Sequence, residues 1–192
     1  QCDWSSDVCS SDLQSFPVTA TDNGDGTYSA TLTGNGAGAA VALGAKIGAS
    51  SVTSTTSLGV VPGPANTTNS IVTTTSTSLP TGTSAQRKLT AYDAANNAIT
   101  SGGSTVAFTK TGGSSTFTQS FPLAATDNGD GTYTATITGN AAGTAATMGA
   151  TIGGAAASST VSVDVNSSVG ATLSGQPTGT NNTTTLNVTV AG

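Results

Sequence analysis

Residues Gln119–Gly153 read QSFPLAATDNGDGTYTATITGNAAGTAATMGATIG, and Gln14–Gly48 read QSFPVTATDNGDGTYSATLTGNGAGAAVALGAKIG. The two stretches align without a gap at an offset of 105, with 25 of 35 positions identical. Where they differ, size and apolarity are kept: Val18 against Leu123, Leu32 against Ile137, Leu43 against Met148. Those are exchanges a packed core tolerates. Inside the later copy, Thr132–Thr138 alternates strictly. Tyr133, Ala135 and Ile137 fall on one side, and Thr134, Thr136 and Thr138 on the other. Period 2 predicts a strand with one buried face. A period-2 pattern inside a unit that itself recurs predicts repeated β modules.

The same alternation predicts six more short strands around it. They are Ser70–Ser78, Lys88–Asp93 (Leu89 and Ala91 on one face), Thr105–Lys110 (Val106, Phe108), Phe121–Thr126 (Phe121, Leu123, Ala125), Thr144–Ile152 (Ala146, Met148, Ala150, Ile152) and Thr160–Val165 (Val161, Val163, Val165). One apolar face per strand implies antiparallel sheets with one side buried. Seven such strands in a repeat of about 100 residues predict an all-β fold of tandem immunoglobulin-like sandwiches. A helix could hide only in the Ala-rich stretch Gly139–Ala157, where interleaved Gly and Thr oppose it.

The repeat divides the chain. Residues 14–61 are the C-terminal half of one module, 70–166 a complete module, and 167–192 the start of a third. The third is marked by QPTGT at Gln176–Thr180, echoing LPTGT at Leu79–Thr83, and by Leu186 against Leu89 at an offset of 97; it begins near Val169. Residues 62–69, within GVVPGPANTTN (Gly59–Asn69), read as a linker stiffened by Pro62 and Pro64.

Residues 1–13 stand apart. Asp3–Leu13, DWSSDVCSSDL, resembles one translated frame of a sequencing-library adapter, and the segment is excluded from fold reasoning. Both cysteines, the only Trp and three of the nine acidic residues lie in it. The rest carries six acidic and four basic residues, a net charge of −2, with no Cys, His or Glu. A disulfide framework and thiol chemistry drop out. So do a Ser-His-Asp triad and histidine metal ligands. The carboxylates left for acid–base work are dispersed, and an enzyme is not expected. There is no basic footprint for nucleic acid and no polybasic patch for anionic lipid. No apolar run reaches the roughly 18 residues of a membrane span.

The sharpest motif is Asp127-Asn128-Gly129-Asp130-Gly131, with its twin at Asp22-Asn23-Gly24-Asp25-Gly26. As a hairpin turn, its Asn-Gly and Asp-Gly pairs supply positive φ. As a calcium site, Asp127, Asn128 and Asp130, or Asp22, Asn23 and Asp25, would offer hard oxygen donors. Glycines at positions 3 and 5 depart from the EF-hand pattern and favour the turn. No other cofactor is indicated. Asp93, near the module's end, could join a site between domains. Thr134, Thr136 and Thr138 could form a regular ligand surface, but Thr is favoured on any solvated β face. Lys88 and Lys110 could form an isopeptide bond with an Asn only beside a buried acid. Sequons at Asn66 and Asn166 matter only in a glycosylating pathway. Tyr92 is the one aromatic expected to face outward.

Read in order, LTAYDAANNAI (Leu89–Ile99), TVAFTKTGG (Thr105–Gly113), TDNGDGTYTATITG (Thr126–Gly139), AAGT (Ala141–Thr144) and TVSVDV (Thr160–Val165) resemble the bacterial immunoglobulin-like repeats of invasin and intimin type. Filamin-type repeats share a similar turn. The resemblance covers Ser70–Val165, and Gln14–Val61 as a half module. Asn97 and Ala98 stand where loops of the family often carry Gly and Pro. The resemblance implies a surface-exposed, extracellular bacterial adhesin. Its array would act as a stalk that mediates cell adhesion by extending a binding tip, or as part of a biofilm-type surface protein. Its partners would be neighbouring modules and a host or self surface ligand. Two alternatives stay open. One is a glycan- or receptor-binding module, the other an accessory domain of a large secreted enzyme.

Overall fold

The computed structural model describes residues 13–168, 170–174 and 187–191. The adapter-like segment before Leu13, the QPTGT echo, Val169 and Leu186 lie outside the described residues. Among the described residues the regular structure is all strand, with no helix.

The complete module is two sheets around one interior. The first runs in the order Leu123–Ala124, Val106–Thr111, Ala146–Ile152, Val161–Asn166, Ser78–Pro80. The second runs Thr116–Phe117, Thr132–Ala141, Ser84–Thr90, Ile71–Thr74. Register follows the alternation in the sequence. Tyr133 pairs with Leu89 and Ile137 with Ala85, while Phe108 pairs with Ala150 and Val106 with Ile152. Each pairing sets two inward side chains together, the unit by which a sheet is stabilised.

Most of the expected inward residues are buried: Leu89, Ala91, Val106, Phe108, Tyr133, Ile137, Ala146, Met148, Ala150, Ile152, Val163 and Val165. Val161, Phe121, Leu123, Ala125 and Ala135 are half-buried and pack at the margins. Burying a Leu, Ile, Val or Met side chain contributes about 1.5–3 kcal/mol. This layer, with no disulfide among the described residues, holds the sheets together. The Ala-rich stretch Gly139–Ala157 holds the end of the strand Thr132–Ala141, the strand Ala146–Ile152, bonded on both sides, and the short strand Ala155–Ala156, with no helix.

Two expected strands are broken, and both breaks are crossings between sheets. Ser70–Ser78 splits into Ile71–Thr74 in one sheet and Ser78–Pro80 in the other. At the crossing, Thr74 Oγ1 donates to Ser76 O and Ser76 Oγ to Ser78 O. Such local bonds give the backbone an alternative to the ladder. The Ser78–Pro80 piece pairs parallel with Asp164–Asn166, so the sheets are not wholly antiparallel. Phe121–Thr126 likewise splits into Leu123–Ala124 and Thr126–Asp127, on opposite sheets.

In the earlier repeat, Gly38–Leu43 pairs with Thr56–Val60 and Thr21–Asp22 with Tyr28–Ser29. These repeat the later copy's pairings, but Ile47 is 74% exposed where its counterpart Ile152 is 9% exposed. Residues 66–69 lie against the complete module: Asn66 N–H donates to Tyr92 O, and Ser158 N–H to Thr67 O. Further on, Gly170–Ser174 pairs antiparallel with Asn187–Ala191.

Candidate functional site

The later Asp-Asn-Gly-Asp-Gly turn joins Thr126–Asp127 to the long strand Thr132–Ala141. Its side chains hold the turn closed. Gly129 N–H donates to Asp127 Oδ1 at 2.8 Å. Thr132 donates to Asp130 Oδ1 twice, from N–H at 2.9 Å and Oγ1 at 2.6 Å. Asn128 Nδ2 donates to Thr132 Oγ1 at 2.9 Å, and Thr134 Oγ1 returns a bond to Asn128 Oδ1 at 3.2 Å. Gly129 and Gly131 take positive φ, 78° and 81°, where L side chains are strained.

The earlier turn repeats this bond for bond. Gly24 N–H donates to Asp22 Oδ1, and Thr27 N–H and Oγ1 to Asp25 Oδ1. Asn23 Nδ2 donates to Thr27 Oγ1, and Ser29 Oγ to Asn23 Oδ1. Asp127 alone reaches outward, with its Oδ2 accepting Gly103 N–H at 2.6 Å.

The electrostatics follow from those bonds. The side chain and then the backbone N–H of Thr132 hold the Asp130 carboxyl below the usual range, with a smaller contribution from Lys88. The side chain and backbone of Thr27 do the same for Asp25. A donor to the charged form always lowers a carboxyl pKa. Among the described residues, no three Asp, Glu, His or Cys side chains converge.

Asp93 is the more constrained carboxylate. It is 4% exposed. Oδ1 accepts Ala95 N–H at 2.9 Å and Asn97 N–H at 2.8 Å. Oδ2 accepts Gly63 N–H at 2.8 Å and Asn97 Nδ2 at 2.9 Å. The Asn97 side chain first, and Gly63 N–H next, hold its carboxyl below the usual range.

The other candidates do not assemble a site. Thr138 Oγ1 bonds Ser84 Oγ, Thr134 Oγ1 bonds Asn128, and only Thr136 of the three is exposed. Lys88 is exposed, and Lys110 Nζ donates to Gly112 O. Tyr92 is half-buried, and among the described residues the exposed aromatic is instead Tyr28. Asn66 Oδ1 caps the turn that follows it, accepting Thr68 N–H.

Arg87 escapes a reading that starts the strand at Lys88. The strand begins at Ser84 and alternates Ala85, Arg87, Leu89 inward. Arg87 is 1% exposed, and its Nε, Nη1 and Nη2 have no hydrogen-bond partner among the described residues. The guanidinium carbon lies 5.7 Å from the centre of the Phe108 ring, a cation–π distance. Burial pushes its pKa down to about 10, so it remains charged at neutral pH. Extending the alternation two residues back from Leu89 would have found it.

Among the described residues, no helix is long and apolar enough to cross a membrane. The structure of the Escherichia coli adhesin FdeC superposes with a TM-score of 0.58 at 24% identity, over 90% of this chain and 56% of its own. That of Yersinia pseudotuberculosis InvD is 26% identical with a TM-score of 0.49, over 86% of this chain and 52% of its own. The chain thus spans about half the length of these structures. No curated protein matches it. The family described as invasin, domain 3, matches residues 66–168, which is 103 of 192 residues and includes both sheets of the complete module. The chain therefore belongs to the invasin domain 3 family.

Proposed function

We propose that this chain is a stretch of the stalk of an extracellular bacterial adhesin, in which tandem immunoglobulin-like modules hold a binding tip away from the cell surface. Residues 14–61 would be the C-terminal half of one module, 62–69 the link, 70–166 the next module and 167–192 the start of another. The observation that carries the reading is the repeat at an offset of 105: the same sequence makes the same hydrogen-bonded turn twice. Membership in the invasin domain 3 family and the likeness to a known adhesin agree with it. In such an array function comes from length and repetition, since each unit contacts mainly its neighbours.

The Asp-Asn-Gly-Asp-Gly segments serve in this reading as structural turns rather than calcium sites. Their carboxylates are engaged by Thr, Gly and Asn donors, with Lys88 near Asp130. A catalytic role has no support, because the chain has no His or Glu and its six carboxylates beyond residue 13 are spread out.

Long-read sequencing of the source gene tests the proposal. A secretion signal, a surface anchor and many repeats of about 100 residues would uphold it. A catalytic domain joined to two or three modules would overturn it in favour of an accessory domain. Natural codons for Asp3–Leu13 would remove the adapter reading.

A further inference from the structure

Asp93 and Asn97 reach from the complete module to two separate points before it. Oδ2 of Asp93 accepts Gly63 N–H at 2.8 Å. Gly63 lies between Pro62 and Pro64, which have no N–H to give, so it is the single backbone donor of that triplet. Asn97 donates its Nδ2 to the same Asp93 oxygen, and its Oδ1 accepts Ala37 N–H at 3.1 Å across 60 residues. Ala37 precedes the Gly38–Leu43 strand of the earlier repeat. One side chain thus grips the connector, and its partner grips the preceding unit.

The loop that carries them is fixed from the module side. Asn69 Nδ2 donates to the carbonyls of Asp93 and Ala94, at 2.7 and 3.2 Å. Asn96 takes φ 65°, a left-handed conformation that Asn tolerates better than most residues. That turn brings both N–H groups, of Ala95 and Asn97, onto Asp93 Oδ1. With Asp93 4% exposed, its bonds are charge-assisted and shielded from water, the strong kind. Between loop and earlier repeat lies a cleft of about 540 Å³, walled by Ala37, Val60 and Val61 on one side and Asn97 and Ala98 on the other.

We infer that the Asp93–Asn97 loop is a joint that sets the orientation of residues 66–168 against the preceding unit, its partner being the neighbouring module of the same chain. This rests on the reading of the chain as a modular array. Both outside donors are backbone N–H groups, so the joint reads the path of the neighbouring backbone rather than its side chains. Any preceding module following that path docks equally well, as a repeated array requires.

The test is solution NMR on the full chain, with Asp93→Asn and Asn97→Ala variants. In the wild type, residual dipolar couplings from residues 14–61 and 66–168 should fit one alignment tensor. Each variant should need two tensors, and amide exchange at Ala37 (Asn97→Ala) or Gly63 (Asp93→Asn) should rise about tenfold or more. Leu89 and Ile137 amides should keep their protection, which shows that the module remains folded. Two independent tensors in the wild type would overturn the joint, and unchanged variants would overturn its assignment to these residues. If Asp93→Asn unfolds the module, Asn97→Ala alone decides. Gene sequencing judges the array separately, so failure of the joint and failure of the array are told apart.

Discussion

Tyr133 is 1% exposed, while Tyr28, its counterpart 105 residues earlier, is 63% exposed. The two lie in nearly identical local sequence and follow nearly identical turns, so the difference belongs to what covers them. Leu89 stands opposite Tyr133 across the ladder, and Ser104 N–H donates to its hydroxyl at 3.0 Å. Local sequence sets the strand, and the other strands of a module set its burial.

Tyr133→Ala should therefore cost about 3–5 kcal/mol, the range for losing a buried aromatic. Tyr28→Ala should stay within about 0.5 kcal/mol. Urea unfolding of the full chain, followed by circular dichroism, separates them. Equal costs would mean that the earlier repeat packs its tyrosine against something in solution.

Gly131 and Gly26 make a second matched pair. Both take positive φ, 81° and 88°, where an Ala side chain costs about 1–2 kcal/mol. Only Gly131 also faces a neighbour, since a Cβ there would strike the Ile99 carbonyl, whereas nothing lies near Gly26. Gly131→Ala should cost about 1–3 kcal/mol beyond Gly26→Ala. Unfolding measures the first and amide exchange at Tyr28 the second. Equal costs would place Ile99 elsewhere in solution.

The alternation of Tyr133, Ala135 and Ile137 was legible because period 2 is local, and so was the turn, because Asp, Asn and Gly encode it within five residues. The crossings at Thr75–Thr77 and Ala125 were not legible, because they depend on which sheet each flanking piece joins. Asp93 could be flagged as a carboxylate near the module's end, but its bond to Gly63 spans 30 residues and leaves no pattern. Arg87 was hidden for another reason: a charged residue in an inward register contradicts the binary pattern used to find strands.

The turn carboxylates give a pH prediction. Thr132 and Thr27 hold the folded pKa values of Asp130 and Asp25 below those of the unfolded chain. Their contribution is then fully present above the unfolded value, near 3.9, and is lost as pH falls through the folded value. The melting temperature should be flat between about pH 5 and 7 with respect to these groups and fall in acid, and Asp130→Ala should lower it at neutral pH and weaken that acid dependence. Calcium at about 5 mM, above the dissociation constants of weak extracellular sites, should leave it unchanged. A calcium-induced rise that disappears in Asp130→Ala would turn the turn into a metal site.

Arg87 is a buried side chain whose replacement, unlike that of Tyr133, should stabilise the module. Arg87 stands in the inward register between Ala85 and Leu89, and its buried guanidinium has no acceptor among the described residues and is offset only by the Phe108 ring. A cation–π contact contributes about 2 kcal/mol when desolvated, whereas a buried ion suffers a penalty of several kcal/mol. The charge therefore costs more than it returns. Arg87→Met, which keeps an unbranched chain in the same register, should stabilise the module by about 1–4 kcal/mol in urea unfolding. The pH dependence checks the cause. A base depressed to about 10 in the folded protein, well below its ordinary value in the unfolded chain, imposes its full penalty below the folded value and relieves it above, because there the unfolded chain binds more protons. The advantage of the Met variant should thus be constant from pH 7 to about 9 and shrink as pH rises through 10. Subtracting the two proteins at each pH cancels the lysines and tyrosines they share. A destabilised Met variant would mean that Arg87 holds a partner in solution, and the strand Ser84–Thr90 would then be the place to seek it.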